Sequence, residues 1–246
     1  MALIEATAQK YHNLRFNNIA KSLALLIKQA EDNDLSYLQF ADILVEHELN
    51  LRNNNRLRLN LRRANFSQIK RLDEFDYSFQ TTITKKQINS LMDFSFIDNR
   101  ENIIFIGPPG VGKTHLSIGI AGKAIDAGYK AFFCSSLELL EILELAEIKG
   151  NLKQQINSLA KFDLLIIDEL GYLPMKKQHM YNLFQFINTM YEMRSLIITT
   201  NKDFTNWGDF FCGDNVAVPI VDRIIHHAKI FMLGGESYRL KNSNCV

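Results

Sequence analysis

The chain has 246 residues, 47 % of them hydrophobic, and a formal net charge of +1; that length suits one large domain or two, with ample core. Its three cysteines, Cys134, Cys212 and Cys245, are far apart and form no C-x-x-C, which speaks against a disulfide framework or a zinc site. No charged-then-apolar leader and no apolar run of membrane-spanning length is present, so the cytosol is the expected compartment and no membrane partner is expected.

From Met1 to about Leu61 the pattern is helical and free of proline. Leu14, Ile19, Leu23, Leu26, Ile27 and Ala30 recur at three- and four-residue spacing. Asp32-Asn33-Asp34 breaks the run, and Ser36 is placed to cap a second helix with apolar Leu38, Ala41, Leu44, Val45, Leu49 and Leu51. If that helix continues, Arg52, Arg56 and Arg63 fall on one face; Asn53-Asn54-Asn55 makes it either fray or run long and exposed. Seven basic residues and no acidic one lie between Leu49 and Leu72: Arg52, Arg56, Arg58, Arg62, Arg63, Lys70 and Arg71. Such a block either contacts nucleic-acid phosphates or is a solvated face whose arginine stems cover apolar surface.

Between Ala64 and Thr84 the periodicity fades and Phe66, Phe75, Tyr77 and Phe79 are scattered among polar residues, as in a connector packed on a neighbour. Lys85–Phe96 reads as one helix. From Asn102 onward short apolar strands (Ile103–Ile106, Ala131–Cys134, Leu164–Ile167, Leu196–Thr199, Ile230–Leu233) alternate with helices near 112–127, 136–148, 151–160, 177–193 and 218–228. Cys134, at the end of its strand, is most simply a small core residue. Continuous apolar strands mean burial on both faces, hence an α/β fold with a parallel sheet between helices.

Gly107-Pro108-Pro109-Gly110-Val111-Gly112-Lys113-Thr114, after the first strand and before a helix, is a complete phosphate-binding loop. Its glycines let backbone N–H groups converge on an anion at a helix N-terminus. Lys113 suits the β- and γ-phosphates of ATP, and the Thr114 hydroxyl suits Mg²⁺. Leu164-Leu165-Ile166-Ile167-Asp168-Glu169 ends a buried strand in two carboxylates, which burial penalises unless they meet a cation or water. Asp168 fits the acid that holds Mg²⁺, and Glu169 a general base or an orienter of the attacking water. Asn201, ending another strand, suits the γ-phosphate or its water, or is simply a turn residue. Pro219 places a helix start near Val218. Arg223, one turn in, suits neutralisation of transition-state charge from a neighbouring subunit. His226 and His227 read as a polar helix face rather than metal ligands.

Gly107–His115, the string Asp168-Glu169-Leu170-Gly171-Tyr172-Leu173-Pro174, Thr200-Asn201, Trp207-Gly208, Asp222-Arg223 with His226-His227, and Gly235-Glu236-Ser237-Tyr238-Arg239 together resemble the IstB-type ATP-binding proteins, transposition helpers of bacterial insertion sequences. The likeness runs through nearly the whole chain; a weaker one is to the DnaC and DnaI helicase loaders. Cys212 and Asn215 depart from the Gly-Asp-Pro usual after Trp-Gly. The resemblance implies an AAA+ P-loop NTPase core behind a small all-helical N-terminal domain: 1–63 for DNA or partner binding, 64–84 as connector, 85–246 as ATPase. It implies an ATP-dependent homo-oligomer on duplex DNA without sequence preference, recruiting or stimulating the transposase of the same element. Lys113, Asp168, Glu169, Asn201 and Arg223 would be catalytic, residues 107–115 nucleotide-binding, and Thr114 with Asp168 the Mg²⁺ pair. Arg52, Arg56, Arg58, Arg62 and Arg63 would meet DNA phosphates. The alternative is a DnaC-like helicase loader with ATP as a timing switch; a small-molecule kinase fits the Asp-Glu pair poorly.

Overall fold

A computed structural model describes residues 2–172, 176–203, 207 and 214–242. Leu173, Pro174, Gly208, Cys212 and Cys245, and the side chain of Asn215, lie outside what it describes. The chain divides into two compact units, Met1–Leu59 and Asn60–Val246.

In the first unit, α1 (Ala2–Asn13), α2 (Asn17–Asp32) and the start of α3 (Tyr37–Arg63) enclose a small core of Ile19, Leu23, Leu26 and Leu44, with Ile4, Ala8, Tyr11, Ile27 and Phe40 against it. The break between α1 and α2 comes at Arg15, whose φ of 64° ends the first helix. Leu14 is therefore an exposed turn residue, not part of the helical stripe. Ser36 caps α3 as expected: its hydroxyl oxygen accepts the Gln39 amide at 3.4 Å, and its own amide donates back to Gln39 Oε1 at 2.9 Å. Leu38, Val45 and Leu49 are exposed, because α3 turns Phe40, Leu44 and Glu48 inward at four-residue spacing. The helix runs unbroken through the three asparagines to Arg63.

Glu48 is a cap supplied from a distance. Buried at 3 % exposure, it accepts the amides of Asn18 and Ile19 (both 2.9 Å) and Arg52 Nε (2.7 Å), so it satisfies orphan donors at the start of α2. Burial pushes its carboxyl pKa up, but the bonds from Ile19, Arg52 and Asn18 outweigh this and hold it below the ordinary value. A depressed carboxyl stabilises in full above the ordinary glutamate pKa and loses that contribution as pH falls through the folded value. Glu48→Gln should cost about 1–2 kcal/mol at pH 7 and flatten the acid limb of unfolding. Amide exchange at Asn18 and Ile19 is the measurement, and it should quicken about tenfold at neutral pH.

In the second unit, β1 (Asn102–Ile106), β2 (Ala131–Ser135), β3 (Leu164–Asp168), β4 (Ser195–Thr200) and β5 (Ala228–Met232) form one parallel sheet in the order β2-β3-β4-β1-β5. The connecting helices are α6 (Lys113–Asp126), α7 (Ser136–Ile148), α8 (Leu152–Leu159), α9 (Lys177–Met190) and α10 (Asp214–Ile225), with α11 (Tyr238–Asn242) last. Ile104, Ile106, Leu165, Ile167, Leu196 and Ile198 share a core with side chains of α7, α8, α9 and α10. The alternate residues Ile103, Phe105, Ile166 and Ile197 are fully buried as well, with α6 packed on the sheet. Burial of each such aliphatic side chain contributes about 2 kcal/mol. Cys134 is buried in the first of these cores, and burial pushes its thiol up to about 12, as suits a core residue.

Three elements differ from expectation. Lys85–Phe96 is two short helices, α4 (Lys85–Asn89) and α5 (Ser95–Asp98). Asp93 accepts the amide and hydroxyl of Ser95, and Phe94 takes a φ of 57°, a local turn that outcompetes helix continuation. The helix carrying Arg223 begins at Asp214, so Pro219 lies inside it rather than at its first position. It ends at Ile225, leaving His226 and His227 in a turn, and β5 starts at Ala228. The His227 carbonyl accepts Asn102 N at 2.7 Å, which brings that turn to the start of β1. β5 is an edge strand and largely exposed, so its apolar run understates its length.

Candidate active site

The C-terminal ends of parallel strands carry the loops that reach ligands in open α/β sheets, and the chemistry-bearing residues gather there. Residues 107–114 follow β1, Asp168 and Glu169 end β3, and Thr200-Asn201 end β4. Residues 109–114, Asp168, Glu169, Thr200 and Asn201 line a cleft of about 1030 Å³, also bounded by Ser67–Lys70, Phe75, Phe79, Tyr172, Tyr238 and Arg239.

Gly112 closes the loop with a φ of 98° and stands at the start of α6. A Cβ there would lie 2.6 Å from the Phe75 ring. The aromatic of the 64–84 segment thus packs directly on the loop and excludes a side chain. Lys113 Nζ donates to the carbonyls of Gly107 and Pro108, both at 2.7 Å. Burial pushes the ammonium pKa down, the carboxylates of Asp168 and Glu169 raise it, and Arg239 lowers it further. His115 is tied to the same segment: its Nε2 is 2.7 Å from the Arg71 carbonyl oxygen and its ring stands edge-on to Phe75.

The Thr114 hydroxyl donates to both carboxylate oxygens of Asp168, at 3.0 and 3.1 Å. A hydroxyl and a carboxylate meeting beside a phosphate loop form a hard-oxygen pair that fits Mg²⁺. Thr199, fully buried, donates to Asp168 Oδ1 at 2.5 Å and accepts the Glu169 amide at 2.9 Å. It therefore orients one acid and holds the backbone of the next. Glu169 takes a φ of 60°, a left-handed conformation that costs a non-glycine residue about 1–3 kcal/mol. Thr199 holds its amide, and Ser136 Oγ holds its carbonyl at 2.9 Å. The left-handed turn is thus fixed from both sides at an acid that lines the cleft. Asn201 lines the cleft beside this group.

Sequence reasoning did not single out Thr199 or Ser136. The available signal was a threonine pair ending an otherwise aliphatic strand, polar where burial disfavours it unless a partner is supplied.

Arg223 lies elsewhere. The neighbouring Ile224 carbonyl accepts Asn102 Nδ2 at 2.9 Å, and Asn102 is the first residue of β1. Arg223 thus belongs to the N-terminal edge of the sheet, about 15 Å along β1 from the phosphate loop. Its guanidinium donates to the Pro219 carbonyl (3.0 Å) and lies over the rings of Phe184 and Tyr191. His226 and His227 share this edge, with the Tyr191 hydroxyl 2.8 Å from His226 Nδ1 and His227 3.9 Å from Glu192.

Of the basic block on α3, Arg52 is bound to Glu48 and to the Arg15 carbonyl and stacks over Phe16. Arg56, Arg58, Arg62 and Arg63 are exposed. Among the described residues no helix is long and apolar enough to cross a membrane.

Comparison with known proteins agrees with this geometry. Residues 9–245 match the family described as IstB-like ATP binding protein. The ATP-binding protein of insertion sequence IS21 from Pseudomonas aeruginosa is 38 % identical over 93 % of this chain and 86 % of its own length. That of insertion sequence IS5376 from Geobacillus stearothermophilus is 36 % identical over 94 % and 92 %. Among solved structures, the DnaC helicase loader superposes with a TM-score of 0.53 at 19 % identity, over 60 % of this chain and 86 % of that one. This is a likeness of fold, and the fold is that of the AAA+ proteins.

Proposed function

The chain belongs to the IstB-like ATP-binding protein family, and from that premise we propose that it hydrolyses ATP as an oligomer on duplex DNA and thereby serves the transposase of an insertion sequence. The observation that carries the catalytic half is the Thr114–Asp168–Thr199–Glu169 constellation beside the phosphate loop. Lys113 and the loop amides bind the β- and γ-phosphates, and Thr114 with Asp168 would hold Mg²⁺. The bound ion would neutralise phosphate charge. Glu169 takes the proton of the attacking water or orients it, and Asn201 fixes that water against the γ-phosphate.

Arg223 acts on the nucleotide of the next subunit, since the sheet separates it from its own. Two edges of one sheet, one with the phosphate loop and one with the arginine, suit head-to-tail association. The exposed arginines of α3 meet DNA phosphates, contacts that position a protein without reading bases.

Titration of a labelled random-sequence duplex, followed by anisotropy with and without ATP–Mg²⁺, tests the whole reading. Tight cooperative binding that requires ATP is expected. Replacing Arg56, Arg58 and Arg63 together should weaken binding equally on unrelated sequences and reduce the slope of log K against log salt by about 2–3. An unchanged slope removes these residues from the interface. Absence of duplex binding in both conditions overturns the DNA-assembly reading.

A further inference from the structure

Gln80 belongs to none of the motifs above, yet it is among the most completely bonded side chains of the second unit. It is buried at 3 % exposure, and its Nε2 donates to the Val111 carbonyl (3.1 Å) and the Gly234 carbonyl (3.0 Å). Its Oε1 accepts the amide and hydroxyl of Thr82, at 3.1 and 2.6 Å. Both donors and both lone pairs of the amide are thereby used. The two carbonyls lie 31 and 154 residues away in sequence, one inside the phosphate loop and one just beyond β5.

The segment beyond β5 has little structure of its own to hold it. Its order comes from contacts with the phosphate loop and the 64–84 segment. Leu233 N donates to the Ile106 carbonyl (2.7 Å), Gly234 N to Thr82 Oγ1 (3.0 Å) and Tyr238 N to the Gly110 carbonyl (3.0 Å). A Cβ on Gly110 would lie 2.0 Å from Ser237 Oγ, so the segment rests directly on the loop. The Tyr238 ring packs on Phe79, and the Lys241 ammonium lies 4.8 Å from the centre of the Phe79 ring. At the end of this path Arg239 reaches the wall of the nucleotide cleft.

We propose that Gln80 is a positioning residue for nucleotide binding: it ties residues 233–239 to the phosphate loop and so holds the Arg239 guanidinium towards the polyphosphate. The inference rests on the ATP-binding reading of the cleft. The planar amide suits the task, because it bridges two backbone carbonyls at once and fixes their separation. A carboxylate of the same shape has no donor for either carbonyl. Gln80→Glu therefore breaks the tie with almost no change in volume.

The test is the affinity of the full chain for a fluorescent ATP analogue, measured for wild type, Gln80→Glu, Gln80→Ala, Arg239→Ala and the Gln80→Ala/Arg239→Ala pair. Loss of Arg239 should weaken binding roughly tenfold, as for one charge-assisted bond. Gln80→Glu and Gln80→Ala should each weaken it by a similar factor, and the double variant should be no weaker than Arg239→Ala alone. Amide exchange at Gly234 and Tyr238 should quicken in the Gln80 variants while the amides of β3 stay protected. Additive losses in the double variant, or unchanged affinity in a folded Gln80→Glu, overturn the proposal. Failure of the wild type to bind the analogue overturns the reading of the cleft itself. If Gln80→Ala does not fold, Thr82→Val, which removes the hydroxyl shared by Gln80 and Gly234, takes its place in the same cycle.

Discussion

Glu169→Gln should lower the turnover of ATP by about 10²–10⁴-fold while leaving ATP affinity within a few-fold of the wild type. The amide keeps the size of the side chain and loses the basic oxygen. The backbone that aims it is held from outside the side chain, by Thr199 on the amide and Ser136 on the carbonyl, so the variant should preserve the left-handed turn. Phosphate release under single-turnover conditions, with a parallel binding titration, is the measurement. Equal losses in affinity and turnover would mean that Glu169 shapes the site instead of acting in the reaction.

The second large effect is expected at Arg223. Arg223→Ala should reduce turnover about 10³-fold, in the range of an arginine that stabilises phosphoryl-transfer charge. Its own phosphate loop stays intact at the other edge of the sheet. A mixture of Arg223→Ala and Lys113→Ala chains, each inactive alone, should regain activity, since some interfaces then combine a working loop with a working arginine. Titrating one variant into the other and following phosphate release measures this. No recovery, with assembly intact by light scattering, would assign Arg223 a role within its own subunit.

The parts of this molecule that were legible in the sequence are those where local pattern and final burial coincide. Strands β1 to β4 were visible because both their faces are largely buried, and the phosphate loop because its geometry requires glycine at set positions; β5, an exposed edge strand, showed only part of its length. Where a long-range partner decides the structure, pattern reading stops short. Ser36 announced its own cap three residues ahead, whereas α2 is capped by Glu48, some thirty residues on. Leu38, Val45 and Leu49 satisfied a helical stripe, but a three-helix unit of this size has only one inward line on α3 to fill. The Asp168-Glu169 pair was conspicuous; Thr199, which orients it, was not, because a buried threonine on a strand looks like any β-branched residue until its hydroxyl finds a carboxylate. Arg223 was singled out by residue type and neighbours, and it is the bonds from Asn102 to Ile224 and His227 that locate it at the N-terminal end of the sheet.

Trp207, the single tryptophan of the chain, is fully buried in the core that also contains Ala217, Ile220 and Ile224 of the arginine-bearing helix. Its indole N–H lies 3.3 Å from the Lys202 carbonyl, one residue beyond Asn201 in the cleft. One chromophore thus stands between the strand end assigned above to the nucleotide and the helix proposed to meet the neighbouring subunit. The protein would thus carry a built-in optical gauge: if the proposed nucleotide loading and subunit docking occur, its ultraviolet emission should follow them in real time, with no dye attached and no residue changed.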